Sequence, residues 1–123
     1  MSLIAAHIRV LNSLLFIRDS SMDALPTIDG NGSVWSNPTC VAVSCLPNCD
    51  GVTEIIIGDL ADVQSGTATL VFERLLETPS RSVIVQSVEG ATLLRREVPG
   101  AATHVKIWTN GARDTDKVIV GLG

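Results

Sequence analysis

The stretch Thr103-His104-Val105-Lys106-Ile107-Trp108-Thr109 alternates with a period of two. Val105 and Ile107 fall on one parity, His104, Lys106 and Trp108 on the other. Successive side chains of an extended strand point to opposite faces, so this pattern predicts a half-buried β-strand with an apolar inner face. Turn chemistry brackets it, with Pro99-Gly100 before and Asn110-Gly111 after.

Working outward, the same grammar repeats. On the N-terminal side, Thr92 to Val98 and Ser82 to Val88 read as strands separated by Glu89-Gly90. Before them, Thr67 to Leu76 places Ala68, Leu70, Phe72 and Leu76 on one parity, with Thr67, Thr69 and Glu73 opposite. Pro79 and Ser80 break the two apart. On the C-terminal side a loop through Asp114 and Asp116 leads to a last strand, Lys117 to Leu122.

The first half is less regular. Leu3 to Phe16 reads as one opening strand, with Ile8, Val10, Leu14 and Phe16 sharing a parity that Asn12 interrupts, as a bulge does. Arg18 to Ser33 is a polar, Gly-rich passage, long for a hairpin and expected to cross between sheets. Val34 to Leu46 is a strand region interrupted at Pro38, which cannot donate to a ladder and marks an edge or a break. Beyond Pro38, neither face of Thr39 to Leu46 is strongly polar, which predicts cover on both sides. Leu46 to Gly51 is a turn, and Val52 to Gly58, with Ile55-Ile56-Ile57, is a short buried strand. Asp59 to Gly66 has room for one helical turn and no more.

The total is about eight strands with short turn signals and no sustained helical period, the pattern of an all-β antiparallel sandwich. A Greek-key or jelly-roll path is expected, and a closed barrel is the alternative. With 123 residues the chain fits one domain spanning 1–123. Tyr is absent and Trp35, Trp108, Phe16 and Phe72 are the whole aromatic complement, so the core is built from Val, Ile and Leu.

The formal charge of −4 and the scarcity of aromatics argue against a nucleic-acid surface, which needs a basic stripe or a stacking platform. Arg95 and Arg96, adjacent on a strand, point to opposite faces and make no phosphate clamp. The N-terminal apolar stretch is broken by His7, Arg9 and Asn12 and is too short and polar to cross a membrane, so no membrane role and a cytoplasmic location are expected.

No nucleophile elbow, phosphate loop or dinucleotide fingerprint occurs, and no catalytic residue and no cofactor are assigned. Cys40, Cys45 and Cys49 lack the spacing of a zinc site and read as free thiols, with a Cys45–Cys49 disulfide as an alternative. Asp29, Asn31 and Ser33 place oxygen donors at alternate positions, as a calcium loop begins. The positions that an EF-hand reserves for glycine and a terminal carboxylate are Val34 and Cys40, so only an irregular metal site is open, against a plain Gly-rich turn. His104, Lys106 and Trp108 form a polar-aromatic outer face, and Trp is enriched at binding hot spots. With Asp114 and Asp116 they are the candidate partner-binding residues.

Leu15-Phe16-Ile17-Arg18-Asp19-Ser20, a long loop, a tryptophan strand, and later Pro99-Gly100 ahead of Val105-Lys106-Ile107-Trp108-Thr109 resemble the competence protein J group, which includes a bacterial nuclease inhibitor. An aromatic expected after the Pro-Gly turn is replaced in the neighbourhood of His104. The resemblance implies a β-sandwich and a protein-binding role, and carries no inhibitory residue onto any position.

The expected function is a non-enzymatic intracellular interaction domain, a small inhibitor or regulator whose acidic balance competes for a basic, nucleic-acid-binding partner. The alternatives are a lectin-like ligand- or calcium-binding sandwich and a metal-dependent enzyme using His7 or His104. Strand edges leave a homo-oligomer open.

Overall fold

A computed structural model describes residues 3–30, 32–110 and 114–123. Among them, strands β1 (Ile4–Ile8), β2 (Leu14–Asp19), β3 (Val34–Asn37), β4 (Cys40–Ser44), β5 (Thr53–Asp59), β6 (Thr69–Glu77), β7 (Ser82–Ser87), β8 (Thr92–Glu97), β9 (Ala102–Thr109) and β10 (Lys117–Leu122) form two sheets. Sheet A has the order β1-β5-β10-β9-β6 and sheet B the order β3-β4-β2-β7-β8. The sheets are open and stack as a sandwich, so the barrel alternative falls. Ladders are antiparallel except where β10 runs parallel to β5, with Ile55 beside Val118 and Ile57 beside Val120. A parallel pair needs a long connection, and the whole of β6 to β9 supplies it.

The core lies between the sheets. Sheet A contributes Ile55, Ile57, Val105, Ile107, Val118 and Val120, all fully buried, and sheet B answers with Leu15, Ile17, Val41, Val43, Val83 and Val85. Branched residues at alternate positions fill a pleated face with stiff, well-defined rotamers. At about 1.5–3 kcal/mol per buried side chain, this layer is the main favourable term in the fold.

Ten strands replace the expected eight because two long segments each divide. The opening segment breaks at a short 3-10 turn, Leu11–Ser13, where Asn12 and Ser13 adopt φ of 54° and 57°. Asn tolerates the left-handed region, and the reversal there carries the chain from sheet A into sheet B. The register slips with it: Leu15 and Ile17 face the core, while Phe16 faces outward, against the parity read from the sequence. The second segment divides at the Pro38-Thr39 turn, between β3 at the edge of sheet B and β4 inside it. Every residue of β4 is buried, as its two apolar faces predicted.

Two further readings are corrected. The passage between β2 and β3 does not cross between sheets: both strands lie in sheet B, flanking β4. In β6 an irregularity between Leu70 and Phe72 turns Leu70 outward beside Trp108, while Phe72 pairs with Ile107 on the core side. One extra residue in a strand reverses every side chain before it. The Asp59–Gly66 region holds one turn closed by Asp62 N–H to Asp59 O at 2.9 Å, and a second begins at its end, where Ala68 N–H reaches Ser65 O at 2.8 Å.

Candidate functional site

The outward face of sheet A follows from its register. One row crosses all five strands as Ala5, Ile56, Ile119, Trp108 and Leu70. Ile119 is buried although it faces away from the core. Leu60, Val63 and Trp108 crowd over neighbouring Gly121, where an added Cβ would lie 2.7 Å from Leu60 and 3.2 Å from the Trp108 ring. Glycine at that position lets the 59–68 loop sit directly on the sheet.

Charged groups flank the row and satisfy one another. Glu73 on β6 lies 3.0 Å from His104 Nε2 and 3.5 Å from Lys106 Nζ. Glu54 on β5 lies 3.4 Å from His7 and 3.8 Å from Lys117. His104, Lys106 and Trp108 therefore do share an outer face. Each histidine meets a glutamate that a lysine also reaches, at its own place on the sheet. Among the described residues no three His, Cys, Asp or Glu side chains gather as a metal site. Asp114 and Asp116 are themselves exposed and lie between β9 and β10, past the Thr109 end of β9. Leu75, 70% exposed, pairs with His104 on the same face.

The outward face of sheet B is covered differently. Residues 20–30 of the segment between β2 and β3, here called the strap, are gripped by three side chains. Arg18 donates to the carbonyl of Met22, Asn37 to the carbonyl of Ala24 at 3.0 Å, and Trp35 Nε1 to the Asp29 carboxylate at 3.0 Å. Cys40 and Ala42, though outward, are fully buried on this face with Phe16, and Trp35 packs against them. The strap buries Pro26 and exposes Met22, Leu25 and Ile28. Of the expected oxygen donors, Asp29 is engaged by Trp35, and Ser33 gives its carbonyl to Ser44 N–H. Asn31 lies outside the described residues.

Charge is distributed unevenly along the chain. From Asp19 to Glu73 there are eight carboxylates and no Lys, Arg or His, so all nine cationic side chains lie elsewhere. Arg95 and Arg96 do diverge: Arg95 reaches Ser82 Oγ on its own sheet at 3.0 Å, whereas Arg96 crosses to Asp59 of sheet A at 2.7 Å. Beside Asp59, a groove of about 470 Å³ opens between Leu60, Ala61, Val98, Pro99 and Leu122.

Sequence reasoning missed Asp19. It is wholly buried at the end of β2, and accepts hydrogen bonds from the backbone and hydroxyl of both Ser21 and Ser80. Burial acts to raise its pKa, but those bonds outweigh it and hold the carboxyl below its ordinary value. The available signal was Asp19-Ser20-Ser21, an Asp that can bond the amide two residues on. Its role is to tie the root of the strap to the β6–β7 turn. The cysteines are all free, which removes the Cys45–Cys49 disulfide. Burial pushes the thiols of Cys40 and Cys45 up to about 12, and Cys49 is exposed.

No family model matches the sequence, and no curated protein matches it. Among solved structures, the fold is similar to that of ComJ from Bacillus subtilis, described as an inhibitor of the DNA-degrading activity of NucA. The TM-score is 0.63, covering 97% of this chain and 93% of that one, at 10% sequence identity. The likeness is one of fold, and it extends over nearly the whole of both chains.

Proposed function

We propose, from the ComJ-like fold, that this chain is a protein-binding domain that inhibits a DNA-degrading enzyme. The observation that carries the reading is the whole-length match to the fold of an inhibitor, rather than to one shared motif. The acidic balance of the chain supports it, because an enzyme that grips a polyanion presents a basic surface. Fold alone does not fix function, so the reading stands or falls on a partner.

The test is to recover the partner of the tagged chain from its own cells and assay it for DNA degradation, first in the complex and then freed of the chain. The expected result is an activity that appears on removal of the chain and disappears when an equimolar amount is returned. A recovered partner that degrades no DNA when freed, or degrades it equally well in the complex, overturns the reading.

A further inference from the structure

We propose that the edge of β1 is a pairing site for a second copy of this chain, which adds its own β1 antiparallel to the first across a two-fold axis at Ala6. The inference is independent of the function proposed above.

A strand at the margin of a sheet presents a row of N–H and C=O groups that another strand satisfies in full. The margins of the two sheets are β1 and β6, and β3 and β8. Three of them carry devices that discourage such pairing. β3 is four residues long and runs into Pro38. β6 has its irregularity between Leu70 and Phe72, and sets Arg74 on the core-side parity opposite Val105. β8 likewise sets Arg96 opposite Val83. β1 has none of these. Ile4–Ile8 contains no proline, keeps one unbroken register with β5, and places Ile4, Ala6 and Ile8 on the core-side parity. Among the described residues, no backbone–backbone bond beyond the ladder with β5 engages residues 4–8.

The side chains of β1 select the occupant. Ile4 lies opposite Ile57 of the core yet is 38% exposed, while Ile8 is partly buried against the core. The apolar layer therefore reaches this margin and is left uncovered at one end. Turning a second copy about Ala6 sets Ile4 opposite Ile8 of that copy, Ala6 opposite Ala6, and Ala5 opposite His7. Residues directly opposite share a face, so the isoleucines of both copies meet on the core side and the small alanines meet at the axis. No Asp, Glu, Lys or Arg lies within Ile4–Ile8, so the pairing sets no like charges against each other. The same operation at β8 about Arg96 would bring two arginines together. The contact is isologous, so it closes at two copies and joins their A sheets into one. Five paired residues make an interface smaller than the about 1,200 Å² of stable complexes, so association is expected to be weak and concentration-dependent.

Sedimentation equilibrium of the purified chain tests this. The average mass is expected to rise with concentration from that of one chain, 13.0 kDa, and to level at two. Ala5 and His7 are exposed and face outward, so both can change without disturbing the core. Ala5→Lys with His7→Lys sets like charges opposite each other twice across the axis, and is expected to raise the dissociation constant about tenfold. Ala5→Glu with His7→Lys sets opposite charges there and is expected to restore the parent's affinity or exceed it. Arg74→Glu, at the margin of β6, is expected to change it by less than about twofold. Amide exchange of residues 4–8 is expected to slow as concentration rises. A chain that keeps the mass of one copy up to about 1 mM overturns the proposal. So does a dimer that is indifferent to both Ala5 and His7 pairs, or one that is lost in Arg74→Glu. Exchange of residues 4–8 that slows only when a different protein is bound, and never with concentration, gives the edge another occupant and also overturns it.

Discussion

The carboxylate of Asp19 accepts both the N–H of Ser80, at 3.1 Å, and its hydroxyl, at 2.6 Å, linking two turns 61 residues apart in sequence. With the matching pair from Ser21, this leaves a buried charge fully hydrogen-bonded. Removing such an acceptor strands its donors away from water, so Asp19→Ala is expected to destabilise the fold by about 2–4 kcal/mol. Chemical denaturation checks this, and loss of less than about 0.5 kcal/mol would contradict it.

The same carboxylate predicts a dependence on acid. Its pKa is depressed in the folded state, so the unfolded chain takes up the proton more readily. The stabilisation is fully present above the ordinary Asp value near 3.9 and is lost as pH falls through the lower, folded value. Melting curves at pH 7 and pH 3 are expected to show a smaller drop for Asp19→Asn than for the parent, from a lower starting point. Equal drops would contradict the assignment.

How much of this was legible in the sequence differs from one residue to the next. The alternation around Val105 and Ile107 was enough to place a core strand, because a period of two has one structural meaning when both flanks carry turn residues. Pro38 was read correctly as a break because proline's missing donor is a local property. Asn12 was read as a bulge within one strand, yet it ends that strand and moves the chain to the other sheet. The identity of the residue signalled an irregularity, but the direction of the chain afterwards depends on packing partners far along the sequence. The bulge before Phe72 was invisible for the same reason. Asp19 and the strap were missed as a unit because their partners, Ser80 and Trp35, reach them only through the folded sheet.

The alternation in β9 makes a contrast that mutagenesis can read. Ile107 is fully buried, and Ile107→Ala is expected to cost about 2–5 kcal/mol through lost burial and the cavity left behind. Lys106, one residue away on the outer face, meets a half-exposed Glu73, and Lys106→Ala is expected to cost under about 1 kcal/mol. Similar costs at the two positions would mean that the strand does not face as described.

Gly121 tests the cover over sheet A. A valine there would overlap Leu60 and Val63 and press on the Trp108 ring. Gly121→Val is expected to destabilise by about 1–3 kcal/mol and to shift Trp fluorescence, since the loop must lift from the sheet. An unchanged spectrum with unchanged stability would contradict the packing.

Thiol reactivity reports the sandwich itself. Cys49 is exposed and is expected to react with a thiol reagent at once in native protein, whereas Cys40 and Cys45 react only on unfolding, their thiols being buried and pushed up to about 12. Two or three fast equivalents would show that a face of β4 is open.

The most direct measurement is DNA degradation by whatever protein is recovered with the chain, assayed in the complex and again after the chain is removed. The account predicts an activity that appears only on removal and is silenced when an equimolar amount of the chain is returned. A partner that degrades no DNA when freed, or degrades it equally well in the complex, would contradict it.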